Sequence, residues 1–323
     1  MFDRLYRHGR LAGIGLAAAL LNACGGGSAT APDAEPFYLE EEEEWSLVWS
    51  DEFDGSAVDS GNWTFQLGDG SDNGLPGWGN YELQYYQADN ASIQEVDDTT
   101  ALVIEARQED AGNSAYTSAR MRSVNKFDFK YGRVDIRAKA APGDGMWSAV
   151  WMMPTDTTYG TWAAGGEIDI MEVVNAGTDN QGVFMAAHYG FEWPLNQITS
   201  EGADVSDATD WHTYSLEWSG DYLRWFVDGE HLRTVSKDVY YSYYFKDNTD
   251  GYQLASNPSA PFDRDFHLIV NLAVGGVGPG VELDPSAVPG EMVVDYIRVY
   301  ECSYDTANGV GCNSLADLSL IHI

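Results

Sequence analysis

Residues 165–173 read GGEIDIMEV, a stretch that places three carboxylates within six positions. Side chains alternate between the two faces of a β-strand, so Glu167 and Asp169 share one face and the intervening isoleucines pack on the other. Glu172 lies five positions after Glu167, an odd offset that would place it on the apolar face. One extra residue in a β-bulge near Met171 restores the phase. The spacing therefore predicts a bulged strand that presents all three acids on one surface.

Three carboxylates crowded on one face repel each other, and this repulsion raises the pKa of one acid enough to keep its proton near neutral pH. Three acids arranged in this way can supply a nucleophile, a helper and a proton donor. These are the parts that glycoside hydrolysis with retention requires. The alternative is an exposed acidic strand in a very acidic protein.

Aromatic residues surround these acids in the sequence. Trp147 and Trp151 lie four residues apart just upstream, and Trp162 comes shortly before the acids. Sugar rings stack their C–H faces on aromatic planes, and polar groups such as Asn80 and Arg120 can bond sugar hydroxyls. Each tryptophan alone is more typical of a core position than of a ligand platform. Together, beside the acids, they favour a site for neutral polysaccharide.

The composition supports a neutral ligand. The chain has 323 residues, with 51 Asp and Glu against 17 Lys and Arg, for a formal net charge of −34. This charge argues against nucleic acid, because phosphates need a basic surface, and it disfavours anionic membranes and polyanionic substrates. A content of 44% hydrophobic and 13% aromatic residues is enough for a core, so the charge does not indicate disorder.

From residue 45 to about 301 the chain reads as strand after strand, without a convincing helical period. Short runs of β-forming residues occupy 101–107, 131–139, 212–218, 222–227 and 292–300. Many short strands with Gly, Asp and Asn turns predict an all-β sandwich. Residues 237–262 read instead as a long loop. Its aromatic run YYSYYF could extend a subsite or pack on the sheet, and packing is the favoured interpretation.

The N-terminus has the pattern of an export signal. Three arginines lie within the first ten residues, and residues 11–21 read LAGIGLAAALL, an apolar run too short to span a bilayer. The run ends in LNACG, which resembles the lipobox of bacterial lipoproteins, where the cysteine is diacylated and becomes the first residue. We expect a signal peptide over 1–23 and a lipid on Cys24. The alternative is ordinary cleavage after Ala23, which leaves a free thiol.

Lipidation of the first cysteine leaves Cys302 and Cys312 as an even pair, and their spacing allows a disulfide in an oxidising compartment. Residues 24–44 are small, contain proline and end in five consecutive glutamates, as expected of a flexible tether with a solvated end. The predicted catalytic domain covers 45–303, and a C-terminal tail covers 304–323. The expected location is the outer membrane or cell surface of a bacterium, or otherwise the secreted fraction.

With these features in place, the chain resembles glycoside hydrolase family 16, whose catalytic strand has the pattern E-[ILV]-D-x-x-E. The resemblance covers roughly residues 45–300. Its matching stretches, in order, are WSDEFDG (49–55), GWGNYELQYY (77–86), YTSARM (116–121), KFDFKYGRVDIRAK (126–139), GMWSAVWMMP (145–154), GGEIDIMEV (165–173), HYG (188–190), FHLIVNLAVGG (266–276) and VDYIRVYE (294–301).

The resemblance implies a β-jelly-roll sandwich of two curved antiparallel sheets with an open concave cleft. It also implies a role for each acid. Glu167 matches the nucleophile, Glu172 the general acid/base, and Asp169 the helper that hydrogen-bonds the nucleophile. No cofactor for catalysis is implied.

The stretch GWGNYELQYY is similar to the laminarinase branch of the family. Asn80 matches a substrate-contacting asparagine of that branch, and Arg120 matches an arginine that lines the negative subsites. Trp147 and Trp151 match cleft aromatics. His188 matches a cleft histidine near the acid/base, and the alternative is a histidine that only supports the acids from behind.

Part of the family holds a structural calcium ion. Asp295 in VDYIRVY matches one of its ligands, together with a main-chain oxygen near Glu52. Hard oxygen ligands of this kind suit calcium. The alternative is an ordinary exposed aspartate on a terminal strand.

These features predict a retaining endo-hydrolase of β-1,3-glucan that acts as a monomer and meets a membrane only through its lipid. Two rivals stay open. One is a family 16 hydrolase of mixed-linkage glucan, agar or carrageenan, although sulfated substrates fit poorly with the net charge. The other is a non-catalytic glucan-binding relative, which the intact pair Glu167 and Glu172 disfavours.

Overall fold

The structure is a computed structural model, and it describes residues 44–246 and 251–312. The predicted signal peptide, the predicted lipid site at Cys24, the tether up to residue 43 and the last eleven residues lie outside the described residues. Within the described ranges, no helix is long and apolar enough to cross a lipid bilayer.

The described residues form twenty strands, joined by turns and four short 3₁₀ segments. The 3₁₀ segments are Ser71–Asn73, Pro76–Gly79, Ala88–Asn90 and Pro285–Ala287. The strands are β1 (Trp45–Asp51), β2 (Thr64–Phe65), β3 (Gln84–Tyr86), β4 (Ala91–Val96), β5 (Thr99–Ala106), β6 (Tyr116–Ser118), β7 (Arg120–Arg122), β8 (Asp128–Phe129), β9 (Gly132–Lys139), β10 (Met146–Pro154), β11 (Glu167–Val174), β12 (Gly182–Phe191), β13 (Gln197–Gly202), β14 (His212–Trp218), β15 (Tyr222–Val227), β16 (Glu230–Ser236), β17 (Ser242–Lys246), β18 (Gly251–Leu254), β19 (Phe266–Val274) and β20 (Gly290–Cys302).

Two large sheets make up the sandwich. One has eight strands in the order β16-β15-β14-β9-β20-β5-β4, with β1 also paired to β20. The other has ten strands in the order β18-β17-β12-β11-β10-β19-β7-β2, with β13 paired to β12 and β8 to β19. The sheets do not close into a barrel, and the fold is the β-jelly-roll sandwich that the sequence predicts.

The core lies between the sheets because alternate positions of each strand are apolar. On β9, Val134 and Ile136 point inward and are fully buried, whereas the charged residues between them are partly exposed. On β10, Val150 is likewise buried in the core, and Trp147 and Trp151 occupy the opposite face. This outer face of the ten-stranded sheet, which carries the two tryptophans, is the cleft face.

The packed domain continues past the predicted boundary at residue 303. Cys302 and Cys312 form a disulfide, which confirms the predicted pairing, and both are buried. The Tyr222 hydroxyl donates a hydrogen bond to the main-chain oxygen of Cys312 at 2.7 Å. The prediction of a tail from residue 304 is therefore wrong for residues 304–312, because the disulfide and this hydrogen bond tie the segment to the sandwich.

Residues 237–262 are not the long loop that the sequence predicted. They contain a hairpin of β17 and β18, in which Tyr243 pairs with Leu254 and Tyr244 with Gln253. β17 also runs parallel to the end of β12, so the hairpin adds two strands to the edge of the ten-stranded sheet. This parallel contact joins segments that are far apart in sequence, so no local sequence pattern predicts it.

Candidate active site

The predicted bulge in β11 is confirmed. In the ladder between β10 and β11, Trp151 pairs with Asp169 and Val150 pairs with Met171, so Ile170 is the extra residue. The ladder between β11 and β12 shifts register at the same place. Both sides of the strand therefore record the two-against-one count of a bulge.

The bulge separates acids from apolar side chains along β11. Ile168, Ile170 and Met171 are fully buried, whereas Glu167 and Glu172 are partly exposed. Without the extra residue, Glu172 would take the phase of the buried isoleucines. The bulge thus returns the last acid to the face that carries the first.

A hydrogen bond from the other sheet fixes the bulge. The indole Nε1 of Trp225, on β15, donates to the main-chain oxygen of Asp169 at 2.9 Å. Trp225 is fully buried, so this bond crosses the core of the sandwich. Its partner carbonyl lies where the ladder is interrupted. Sequence reasoning missed Trp225, because nothing in the run YLRWFV distinguishes this tryptophan from a core residue.

Each glutamate accepts a hydrogen bond from a different tryptophan. Trp162 Nε1 donates to Glu167 Oε2 at 2.9 Å, and Trp147 Nε1 donates to Glu172 Oε1 at 3.1 Å. The sequence predicted both tryptophans as sugar-stacking residues. The structure adds a second role, in which each indole orients one acid.

His188 lies directly opposite Glu167 in the ladder between β11 and β12. Its Nε2 is 3.5 Å from Glu167 Oε1 and 3.3 Å from Asp169 Oδ2. The ligand-type atoms of these three residues all lie within 4.8 Å of one another, so they could hold a cation as well as share protons. The predicted cleft histidine therefore lies against both Glu167 and Asp169.

Burial dominates the electrostatics of the three acids. It raises the pKa of Glu167 and of Asp169, and the charge of Asp169 raises the pKa of Glu167 further. For Glu172, burial and the Asp169 charge raise the pKa to about 8. The two indole hydrogen bonds and the charge on His188 act in the opposite direction. Among the described residues, no lysine or arginine forms an ion pair with any of the three.

Arg120 lies across the cleft face on β7, beyond β10 and β19. Its guanidinium group lies over the rings of Trp78 and Trp151, 4.5 and 4.8 Å from their centroids, and its Nε donates to Gln66 Oε1 at 2.8 Å. Trp151 Nε1 in turn donates to Asn271 Oδ1 at 2.7 Å. The structure thus brings the predicted pair Arg120 and Trp151 together, in a stack that Trp78 completes.

Asn80 belongs to a polar network around one buried acid. Glu82 is 9% exposed and accepts hydrogen bonds from the side chains of Asn80 at 3.2 Å, Gln84 at 2.7 Å and Tyr86 at 3.1 Å. Sequence reasoning selected only Asn80. The even spacing of Glu82, Gln84 and Tyr86 in GWGNYELQYY was the available signal, because period 2 places them on one face of an extended segment.

The side chains of Asp295 and Glu52 both pair with arginines, whereas the predicted calcium ligand near Glu52 is a main-chain oxygen. Asp295 Oδ2 lies 2.6 Å from Arg137 Nη1, and its other oxygen accepts a bond from Thr99. Glu52 forms a two-pronged pair with Arg298, at 2.9 and 2.7 Å. An arginine therefore neutralises each carboxylate, and these arginines come from strands that the sequence pattern did not connect to the acids.

Comparisons with known proteins agree with this site. The chain matches Glycosyl hydrolases family 16 over residues 80–254. A beta-glucanase of Rhodothermus marinus is 39% identical over 274 residues, which cover 79% of this chain and 85% of that protein. The glucan endo-1,3-beta-glucosidase A1 of Niallia circulans is 38% identical over 79% of this chain, but the chain spans only 38% of that relative's length.

A solved structure is also similar to this chain. The catalytic domain of an endo-1,3-beta-glucanase (laminarinase) from Thermotoga petrophila superposes with a TM-score of 0.67 at 38% identity. The match covers 80% of this chain and 98% of that one. The bulged acidic strand, the family match and these relatives together show that the chain belongs to glycoside hydrolase family 16, as a laminarinase-like member.

Proposed function

We propose that this chain is a retaining endo-hydrolase of β-1,3-glucan, with Glu167 as the nucleophile and Glu172 as the general acid/base. The observation that carries the proposal is the bulge in β11, because it returns Glu172 to the face of Glu167. The separate indole donors hold the two carboxyl groups in different orientations. Two acids with different environments are what a two-step displacement needs.

In the first step, Glu172 donates its proton to the glycosidic oxygen while the Glu167 carboxylate attacks the anomeric carbon. The bond between that carbon and the glycosidic oxygen breaks, and the leaving sugar departs as an alcohol. A glycosyl ester on Glu167 remains. The pKa of Glu172 is raised to about 8, so the group keeps its proton at neutral pH, and because burial raises the pKa of Glu167 to the same value, the two roles are assigned from the family strand pattern rather than from the pKa.

In the second step, Glu172 acts as a base. It takes a proton from a water molecule, whose oxygen attacks the anomeric carbon and displaces the Glu167 carboxylate. Two inversions at the same carbon leave the β configuration unchanged. Glu172 is protonated again at the end, so the cycle closes without an external proton.

Asp169 helps Glu167 to carry the negative charge. Its side chain is 4% exposed, and burial raises its pKa to about 8, the same level as that of Glu167, so a proton held on Asp169 leaves Glu167 free to ionise. A neutral neighbour spares the nucleophile a second anion at close range. His188 contacts both acids and favours the charged form of Glu167.

The sugar-binding residues extend the site to one side of β11. We assign Asn80 and Arg120 to the donor side of the cleft. Trp147 and Trp151 lie nearer the acids, with Trp147 bonded to Glu172. An uncharged glucan meets no repulsion from the acids, in contrast to a sulfated chain. The site needs no cofactor for these steps.

The first test is a substrate panel of laminarin, mixed-linkage glucan, agarose and carrageenan. We expect internal cleavage of laminarin to short oligosaccharides, with the β anomer detected first by proton NMR. Degradation of agarose or carrageenan with laminarin left intact would overturn the substrate but not the family. The α anomer appearing first would overturn the retaining mechanism.

The second test removes each acid in turn. Glu167→Ala should lower kcat by roughly 10⁴-fold or more, while oligosaccharide binding persists. Glu172→Ala should lose laminarin cleavage but keep activity on aryl glycosides whose leaving group needs no proton. Glu230→Gln, which changes an exposed glutamate on β16, is the matched control. In an experimental complex, carboxyl groups more than about 6.5 Å apart would contradict retention, which requires about 5–5.5 Å.

We also propose that the protein is exported as a lipoprotein and held at the outer membrane or cell surface by Cys24. The buried disulfide between Cys302 and Cys312 supports an oxidising compartment. Cys24→Ser should shift the protein from the membrane fraction to the soluble fraction with laminarin cleavage intact. Wild-type protein that is wholly soluble after export would contradict the anchor. We expect a monomer that binds no nucleic acid.

A further inference from the structure

The hairpin of β17 and β18 carries an aromatic surface outside the site described above. Tyr252 and Phe245 are direct cross-strand partners, and their side chains are 51% and 46% exposed. Tyr243 stacks on Tyr252, with ring centroids 5.7 Å apart and planes within 6°. Phe191, at the end of β12, lies against Tyr243 at 4.7 Å. This set of Phe191, Tyr243, Phe245 and Tyr252 is the hairpin platform.

The opposite face of the hairpin fixes its position. Tyr244 is buried and packs edge-on against Tyr159, and the Ser242 hydroxyl donates to the main-chain oxygen of Ala164 at 2.7 Å. Tyr159 and Ala164 belong to the segment that leads into β11. One face of the hairpin is therefore anchored beside the catalytic strand, and the platform is the face left to solvent.

A continuous set of contacts links the platform to the nucleophile. Trp162, which bonds Glu167, contacts Trp193 with ring centroids 6.0 Å apart. Trp193 is 70% exposed, and its neighbour Glu192 accepts a hydrogen bond from the Tyr252 hydroxyl at 3.3 Å. Glu192 also accepts a bond from the main-chain amide of Thr161, the residue before Trp162. Trp162 and Trp193 thus extend aromatic surface from the acids toward the hairpin, and the Glu192 carboxylate joins this segment to Tyr252.

The order of strands gives the direction. β17 and β18 lie two and three strands from β11, on the side opposite to β7 and its Arg120. At about 4.8 Å between neighbouring strands, and with the platform three to five residues farther along the strand direction than His188, the platform is on the order of 15–20 Å from the acids. That distance lies well beyond the sugar ring that reacts.

We propose that the hairpin platform is a remote binding site for the same β-1,3-glucan chain, beyond the acids on the side away from Arg120. The proposal rests on the proposed function, because it takes β-1,3-glucan as the ligand. Exposed aromatic rings suit the C–H faces of neutral sugars, and the platform itself carries no charged side chain. Continuity with the cleft through Trp193 makes the bound polysaccharide its occupant.

The experiment compares a long substrate with a short one. Tyr252→Ala and Phe245→Ala should each lower the ratio of kcat/KM for laminarin to kcat/KM for a short laminari-oligosaccharide by about tenfold, which corresponds to one aromatic stacking contact. Tyr304→Ala, which removes a 61% exposed tyrosine elsewhere, should leave the ratio unchanged. Tyr252→Phe keeps the ring and should also keep the ratio, even if Tyr252→Ala folds poorly.

A second measurement uses binding alone. In the inactive Glu167→Gln background, affinity electrophoresis in laminarin gels should show retardation that Tyr252→Ala weakens and Tyr304→Ala does not. A ratio and a retardation unchanged in both platform variants would overturn the platform while wild-type laminarin cleavage upholds the proposed function. A self-association of the wild type that Tyr252→Ala abolishes would instead assign the surface to a second copy of the chain. Wild-type protein that cleaves no β-1,3-glucan would overturn the proposed function itself.

Discussion

Two buried groups of carboxylates, one in each sheet, are neutralised in different ways. On β14 of the eight-stranded sheet, the Glu217 side chain is fully buried, and Arg133 and Arg224 approach it at 3.2 and 3.7 Å. On β11 of the ten-stranded sheet, the Glu167 side chain is 15% exposed, and among the described residues His188 is its one ion-pair partner. Arginine supplies the opposite charge in the first group, and protons supply it in the second. Protons can leave and return during a reaction, whereas arginine charges are permanent.

The contrast indicates what each sheet does. A buried acid held between two arginines is a fixed element of structure, because removing any partner leaves an uncompensated charge. Buried acids without a cation shift their pKa upward and become proton carriers. The same residue type therefore serves stability in one sheet and chemistry in the other.

The largest expected effect is on stability and comes from Glu217→Ala. This change removes the buried carboxylate that Arg133 and Arg224 both approach, although Arg133 keeps its pair with Asp135, and it should lower the free energy of unfolding by about 3 kcal/mol. Denaturant unfolding measures the loss. The matched control is Glu201→Ala, which breaks the half-exposed pair with Arg233 and should cost less than about 1 kcal/mol. Equal losses in both variants would remove the distinction between the sheets.

A smaller effect of opposite sign is expected for Glu167→Gln. Burial raises the folded-state pKa of Glu167 to about 8, so the folded state holds the proton more tightly than the unfolded state. This contribution to stability is complete below the unfolded pKa, near 4.5, and is lost as the pH rises through about 8. The neutral glutamine avoids that loss.

Glu167→Gln should therefore raise the free energy of unfolding at pH 8 by at least about 1.4 kcal/mol, the equivalent of one pKa unit, and change it little at pH 4. Denaturant unfolding at the two pH values measures the difference. The exposed Glu230→Gln should show no such pH dependence. A Glu167→Gln variant less stable than the wild type at pH 8 would show that Glu167 is neutralised by a partner, as Glu217 is.

The smallest expected effect separates the two indole donors. Each N–H favours the charged form of its acid and so lowers the pKa of that acid. Trp147→Phe should raise the pKa of Glu172 and move the alkaline limb of the kcat/KM profile to higher pH. Trp162→Phe should raise the pKa of Glu167 and move the acidic limb to higher pH. Each limb should shift by less than about one pH unit.

These two variants control for each other, because each keeps an aromatic ring and loses one hydrogen bond. The pH profile of laminarin hydrolysis gives both limbs in one measurement. Movement of both limbs in both variants would show that the two acids titrate as one unit, so that neither indole sets the pKa of one acid separately from the other.

Much of the site was readable from local sequence. The alternation in GGEIDIMEV predicted which side of β11 carries the acids, and the odd offset of Glu172 required the bulge that the structure contains. Three cysteines predicted the disulfide once the first was assigned to a lipid. Each of these inferences depends on residues close together or on counting.

The residues that bond or pair with them could not be predicted from the local sequence in the same way. The bond from Trp225 to the bulge crosses from β15 to β11. The arginines that pair with Asp295 and Glu52 were not predicted, and the hairpin in residues 237–262 forms through its contact with β12. Asn80 was found, but the buried Glu82 that it bonds was not.

The sequence by itself determined the period of each strand, the face on which its polar groups lie and the need for a bulge in β11, because a strand has a fixed two-residue repeat. The tertiary structure alone decided which strands became neighbours. In an all-β fold most pairings join distant segments, and their register depends on the packing of the whole sandwich. The charge that neutralises each buried acid, an arginine beside Glu217 or a proton on Glu172, is set by those neighbours.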